Sequence, residues 1–100
     1  MITRMWHGKT KVENSDKYLN YLEETGIKDY KAIEGNISAK ILRRIDGKIC
    51  HFMTVTEWDS FESIKKFAGV DYKKARYYPD DKQYLLDFEE NVIHYETYEY

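Results

Sequence analysis

The sequence predicts an α+β sandwich, a four-stranded antiparallel sheet with helices packed on one face. Three observations point to it. Two strand-like runs flank an Asp46-Gly47 turn signal, a capped amphipathic helix follows directly from the second run, and strand-like segments open and close the chain.

Taken in order, Ile2 to Lys9 reads as a strand and Thr10 to Asn14 as a turn. Asn14 or Ser15 can accept from the free amides that open a helix, and Asp16 suits its positive end. Tyr18, Leu19 and Leu22 then share one helical face, and Gly26 is expected to stop the helix in a left-handed conformation. Residues 27–34 read as a loop with about one helical turn. The runs Asn36–Ile45 and Lys48–Trp58 form a hairpin in which Asp46-Gly47 suits a two-residue type I′ turn. That turn would set Ile45 opposite Lys48 and Ile41 opposite Phe52.

Asp59 or Ser60 caps the next helix, with Asp59 and Glu62 placed for a capping box. Phe61, Ile64, Phe67 and Ala68 supply its inward stripe, and Gly69 ends it. Asp71 opens a short turn through Arg76, which Tyr77-Tyr78-Pro79 breaks. Asp80 to Phe88 reads as another short helix. Asn91 to Tyr100 is the last strand, with His94 on one face and Ile93 and Tyr95 on the other. The order β-α-β-β-α-β makes two right-handed split units and hence a ferredoxin-like sandwich, one domain spanning 1–100.

The hairpin settles which faces need cover. Strand parity puts Ala39, Ile41, Arg43, Cys50, Phe52 and Thr54 on one side, and Leu42, His51, Met53 and Val55 on the other. Neither side is cleanly polar. Helices cover one, and a second subunit is the simplest cover for the other, giving a homodimer through the sheet face.

Composition narrows the function classes. The 100 residues carry a formal charge of −2, which gives no pull toward nucleic acid or anionic membrane. The sole cysteine, Cys50, precludes an intrachain disulfide and fits a reducing, cytoplasmic setting. No apolar run resembles a signal peptide or a membrane span. Aromatic residues make up 16% of the chain, ten of them Tyr, which is more ring surface than so small a core needs. A pocket or subunit interface would use the remainder, so a small apolar or aromatic ligand is the expected partner.

Several segments together resemble the antibiotic biosynthesis monooxygenase group of dimeric α+β barrels. They are Gly35-Asn36 at the start of a strand, Arg43-Arg44 before the turn, Val55-Thr56-Glu57-Trp58-Asp59-Ser60, Phe67-Ala68-Gly69 followed by Ala75, Tyr77-Tyr78-Pro79 and His94-Tyr95-Glu96. The resemblance covers nearly the whole chain and implies a pocket in each subunit between sheet and helices. In the better-understood members O₂ oxidises an electron-rich aromatic molecule without metal or flavin, so no cofactor is expected. The protein supplies a dry cavity, a proton acceptor and donors to an oxyanion. Other members break down haem through an axial His on the helix after the Trp. The corresponding stretch here, Lys73-Lys74-Ala75-Arg76-Tyr77, has no His, which argues against that activity.

On this reading His94 is the candidate general base, Tyr78 and Arg43 steady the anion, and Trp6, Trp58, Phe52 and Tyr77 line the cavity. Each has a purely structural alternative: His94 as a hydrogen-bonded core or interface residue, the Trp and Phe rings as core, Tyr77 and Tyr78 as loop packing, Arg43 as a solvated side chain. His7, His51 and His94 lie on three neighbouring strands, but no tight ligand spacing makes them a metal site. Three functions compete. They are a cofactor-independent monooxygenase, or a related isomerase or decarboxylase, acting on a small aromatic or polyketide-like molecule, a non-catalytic dimeric small-molecule binder, and an RNA-binding domain. The third lacks spaced aromatics on its central strand, Ile49 to Thr56.

Overall fold

The computed structural model describes residues 1–100. Four strands, β1 (Ile2–Lys11), β2 (Asn36–Asp46), β3 (Ile49–Trp58) and β4 (Ile93–Glu96), form one antiparallel sheet in the order β2-β3-β1-β4. The helices α1 (Ser15–Leu22), α2 (Lys28–Ala32), α3 (Phe61–Ala68) and the single turn α4 (Asp81–Tyr84) complete it. The sandwich is therefore ferredoxin-like, with β1 central between β3 and β4. No helix is long and apolar enough to cross a membrane.

Strand parity decides the layers. Arg4, Trp6, Gly8 and Thr10 of β1 and Cys50, Phe52, Thr54, Thr56 and Trp58 of β3 are all buried toward the helices. Two apolar clusters fill that side. One joins Trp6, Tyr18, Leu22, Phe52 and Leu85. The other joins Tyr30, Trp58, Ile64 and Phe67. The opposite parity leaves a row of apolar side chains without a cover: Leu42 pairs across to Met53, and Val55 pairs to Met5, which pairs to Ile93. Leu42 is 51% exposed and Ile93 57%.

Local expectations hold where local chemistry decides. Ser60 caps α3 by accepting from the Ser63 N–H, and Gly69 ends it at φ +82. The Asp59 carboxylate accepts from the Ser63 and Ser60 hydroxyls, in place of a capping box with Glu62.

Four elements differ from the sequence reading. Gly26 does not stop the first helix. Its backbone is not left-handed, and the chain passes through a π turn, Glu23–Ile27, into α2, so the helical turn expected within 27–34 lies at Lys28–Ala32 and is continuous with α1. The Thr25 hydroxyl donates to the Tyr21 carbonyl, a back-bond that loosens the regular ladder. The hairpin loop is Gly47-Lys48 rather than Asp46-Gly47. Only Gly47 takes positive φ (+63), which suits a turn with Gly first and spares Asp46 that conformation. The register becomes Ile45 opposite Cys50 and Ile41 opposite Thr54. Each partner moves by two, so every side chain keeps its face. The expected helix 80–88 shrinks to α4, because Asp81 turns its carboxylate back to the Tyr78 N–H and the chain then runs extended along the end of β1. The last strand ends at Glu96, where its pairing with Ile2 of β1 runs out.

Candidate functional site

Residues 69–92 form an irregular strap from α3 back to β4, and between strap, α1, α2 and sheet lies a narrow cleft. Arg4, Trp6, Tyr18, Tyr30, Tyr78 and Asp81 are among the side chains that line it. Its free volume is about 20 Å³, roughly the room of one water molecule.

Two ionisable side chains define the chemistry. Asp81 is 3% exposed. The Tyr18 hydroxyl donates to its Oδ1 (2.8 Å) and the Tyr78 N–H to its Oδ2 (2.6 Å). Burial raises its pKa above the usual carboxylate range, against the opposing pull of those two donors. Arg4 is 2% exposed and enters no ion pair. Its Nε and Nη2 are buried without a hydrogen-bond partner. Burial pulls its pKa down, the Tyr30 hydroxyl supports the charge, and Phe67 offers a ring face 5.3 Å from Cζ.

At the mouth, the Tyr78 hydroxyl donates to Asp29 Oδ2 (2.6 Å), and Arg76 pairs with the same carboxylate at 3.5 Å. Burial and the bond to Asp29 raise the Tyr78 pKa. Four links therefore tie the strap to α1 and α2: Tyr18–Asp81, Tyr21–Asp80, Tyr78–Asp29 and Arg76–Asp29.

Of the residues expected from sequence, the cleft gathers Trp6 and Tyr78. Tyr77 packs edge-on to Trp6 behind it and donates its hydroxyl to the Glu89 carbonyl (2.6 Å). Phe52 lies in the core against Tyr18. Trp58 is wholly buried with Tyr30 and Phe67, and its indole N–H is spent on Thr56 Oγ1 (2.8 Å). Arg43 lies outside the cleft, exposed, where its Nη1 donates to Asp16 Oδ1 at 2.8 Å and to Ser15 Oγ at 3.2 Å in the first turn of α1. His94 pairs across to Arg4 on the same face, but its ring is wedged between Phe61 and Tyr72, away from the cleft lining. Desolvation, helped by Arg4 and Lys73, lowers its pKa to about 4.

Arg4 and Asp81 were not foreseen. The available signal was the parity of β1, which sets a lone Arg on the face of Trp6. Asp81 gave none, since an Asp after Pro79-Asp80 reads as a helix cap.

A second hollow, about 290 Å³, lies on the uncovered sheet face. His7 and His51 line it, joined Nε2 to Nδ1 at 3.0 Å, with Glu89 on His7 Nδ1. His94 points to the opposite face, so the three imidazoles do not meet. Size favours this hollow and chemistry favours the cleft. The cleft is the stronger candidate, because ionisable groups held out of water cost stability that folding alone does not require.

No family model matches the chain, and no curated protein matches it in sequence. Solved structures do. A Bacillus cereus protein described as a candidate antibiotic biosynthesis monooxygenase superposes with a TM-score of 0.68 at 13% identity, covering 99% of this chain and 96% of that one. The chain shares its fold. A mutant of MhuD, with two manganese protoporphyrin IX molecules bound per active site, superposes at 0.60 with 15% identity, covering 97% and 94%. No His lines the cleft here to ligate a porphyrin iron.

Proposed function

We propose that this chain binds a small aromatic molecule in the sheet–helix cleft, removes a proton from it and passes the resulting anion to O₂, as a cofactor-independent monooxygenase. The observation that carries the reading is Asp81, a carboxyl buried in the cleft, where the Tyr18 hydroxyl holds it and burial raises its pKa. We place the base here rather than at His94, which lies outside the lining and is held far below its ordinary basicity. Deprotonation of an activated CH₂ gives a carbanion. O₂ adds to that carbon to form a hydroperoxide, and loss of water leaves a carbonyl, so that CH₂ and O₂ become C=O and H₂O. The likeness of fold to a candidate monooxygenase supports the reaction class.

The test is oxygen uptake with an aromatic ketone bearing an activated CH₂, such as anthrone. Asp81→Asn keeps the acceptor for Tyr18 but cannot take a proton, and a fall of about 10²–10⁴-fold is expected. Uptake unchanged in this variant removes Asp81 from the chemistry.

Ligand binding without reaction is the second reading. The two hydrogen bonds already held by Asp81 favour it, since a fully satisfied carboxylate also serves as a structural tie. It predicts melting shifts with aromatic ligands and no oxygen uptake from any. In both readings a second copy covers the apolar row of the open sheet face.

A further inference from the structure

We infer that the cleft is built to take an aromatic carboxylate, with the ligand's CO₂⁻ lying side-on against Nε and Nη2 of Arg4. The inference rests on the proposed use of the cleft as the ligand site and names the ligand's charge and class. The two Arg4 atoms without a partner are not an arbitrary pair. Nε–H and the adjacent Nη2–H form one edge of the planar guanidinium, the fork that meets two carboxylate oxygens in parallel N–H···O bonds.

No group of the protein occupies that edge. Asp81 is taken up by Tyr18 and Tyr78, Asp29 by Tyr78 and Arg76, and Arg4 is in none of the chain's ion pairs. A side chain 2% exposed, lining a cleft with its fork empty, is an arrangement that a fold gains nothing from keeping. The remaining walls decide the rest of the ligand. Trp6, Tyr18, Leu22 and Tyr30 offer ring and alkyl surface, which suits a flat apolar body attached to the carboxylate.

Arg4 in this role also accounts for the cost it imposes. Removing the guanidinium relieves two buried, unbonded donors, so the variant that loses the ligand is expected to be the more stable protein.

The experiment measures thermal unfolding of wild type, Arg4→Met and Arg4→Lys in rising concentrations of benzoate and of its neutral isostere benzamide. Benzoate is expected to raise the wild-type Tm and benzamide to leave it unchanged. Arg4→Met is expected to melt above wild type and ignore benzoate. Arg4→Lys, which keeps the charge but not the fork, is expected to bind benzoate at least tenfold more weakly. Equal shifts from both probes, no shift from benzoate, or a benzoate shift retained in Arg4→Met overturns the inference. So does an Arg4→Met protein that melts lower or fails to fold, because Arg4 is then a structural residue. The readout contains no turnover. Benzoate binding without oxygen uptake from any substrate leaves this inference standing and removes the monooxygenase reading. Oxidation of a neutral ketone with no benzoate binding does the reverse.

Discussion

One carbon added at Gly8 tests how the cleft wall is held. Gly8 sits mid-strand in β1 on the buried face, with the Trp6 indole lying across it. A Cβ there would come within 2.6 Å of Trp6 Cζ2, closer still to Cη2, and within 3.0 Å of Leu85 Cδ2. Carbon atoms rest at about 3.5–4.0 Å, so the ring must move by about 1 Å. It has little freedom to do so, with Tyr77 at its edge and Leu85 and Phe52 in the same cluster. The φ of Gly8 is not positive, so backbone strain adds nothing and the cost is overpacking alone, about 1–3 kcal/mol. For a chain of this length about 2 kcal/mol lowers Tm by roughly 8–16 °C.

The assay is urea unfolding of Gly8→Ala, Trp6→Leu and the double variant, with near-UV circular dichroism to follow the indole. Trp6→Leu alone costs about 2–4 kcal/mol in lost burial. It also vacates the space that the new methyl needs, so the double variant should be more stable than the sum of the two by about 1–2 kcal/mol. Additive effects, or a Gly8→Ala protein within about 0.5 kcal/mol of wild type, would refute the close approach and with it the placement of Trp6 against the cleft.

Other outcomes follow from the same geometry. His94 has its pKa lowered from 6.5 to about 4, so the unfolded chain binds its proton first. Its contribution to stability is complete above the unfolded value and is lost as pH falls from there toward 4. Between about pH 8 and pH 5 the loss is about 1–2 kcal/mol after discounting for the ring's partial exposure. Urea unfolding at both pH values should show that loss in wild type but not in His94→Leu, and an equal loss in both would place its cause elsewhere. Leu42→Glu puts a carboxylate in the apolar row of the open face. Light scattering should then find a monomer where wild type is a dimer, and a monomeric wild type at micromolar concentration ends the proposal of a second copy. Gly35→Ala drives a methyl into Ser63 at a φ of +99, so a loss of at least about 2 kcal/mol is expected in thermal unfolding.

How legible the fold was depended on range. Ser60 and Gly69 bound α3 because a cap and a left-handed stop act on atoms a few residues away. The strand faces were readable because parity survives the two-residue shift in the hairpin register. Gly26 was misread because a glycine is also tolerated inside a helix, and the π turn that carries the chain on into α2 leaves no local stop signal. The strap resisted reading because tertiary bonds shape it, Asp81 to Tyr18 and Tyr78 to Asp29, rather than any periodicity of its own.

The amino-acid order alone determined the strands of the sheet, their faces, the caps of α3 and the sandwich they build, since alternation, caps and turn residues act locally and crossover handedness leaves few ways to connect them. Only the tertiary structure decided which charges leave water. Arg4 and Asp81 stand far apart in the chain, and each belongs to a residue type that ordinarily stays exposed. Their burial in one cleft is set by what the helices and strap lay over them: the parity of β1 records only the face of Arg4, and no local pattern records the burial of Asp81.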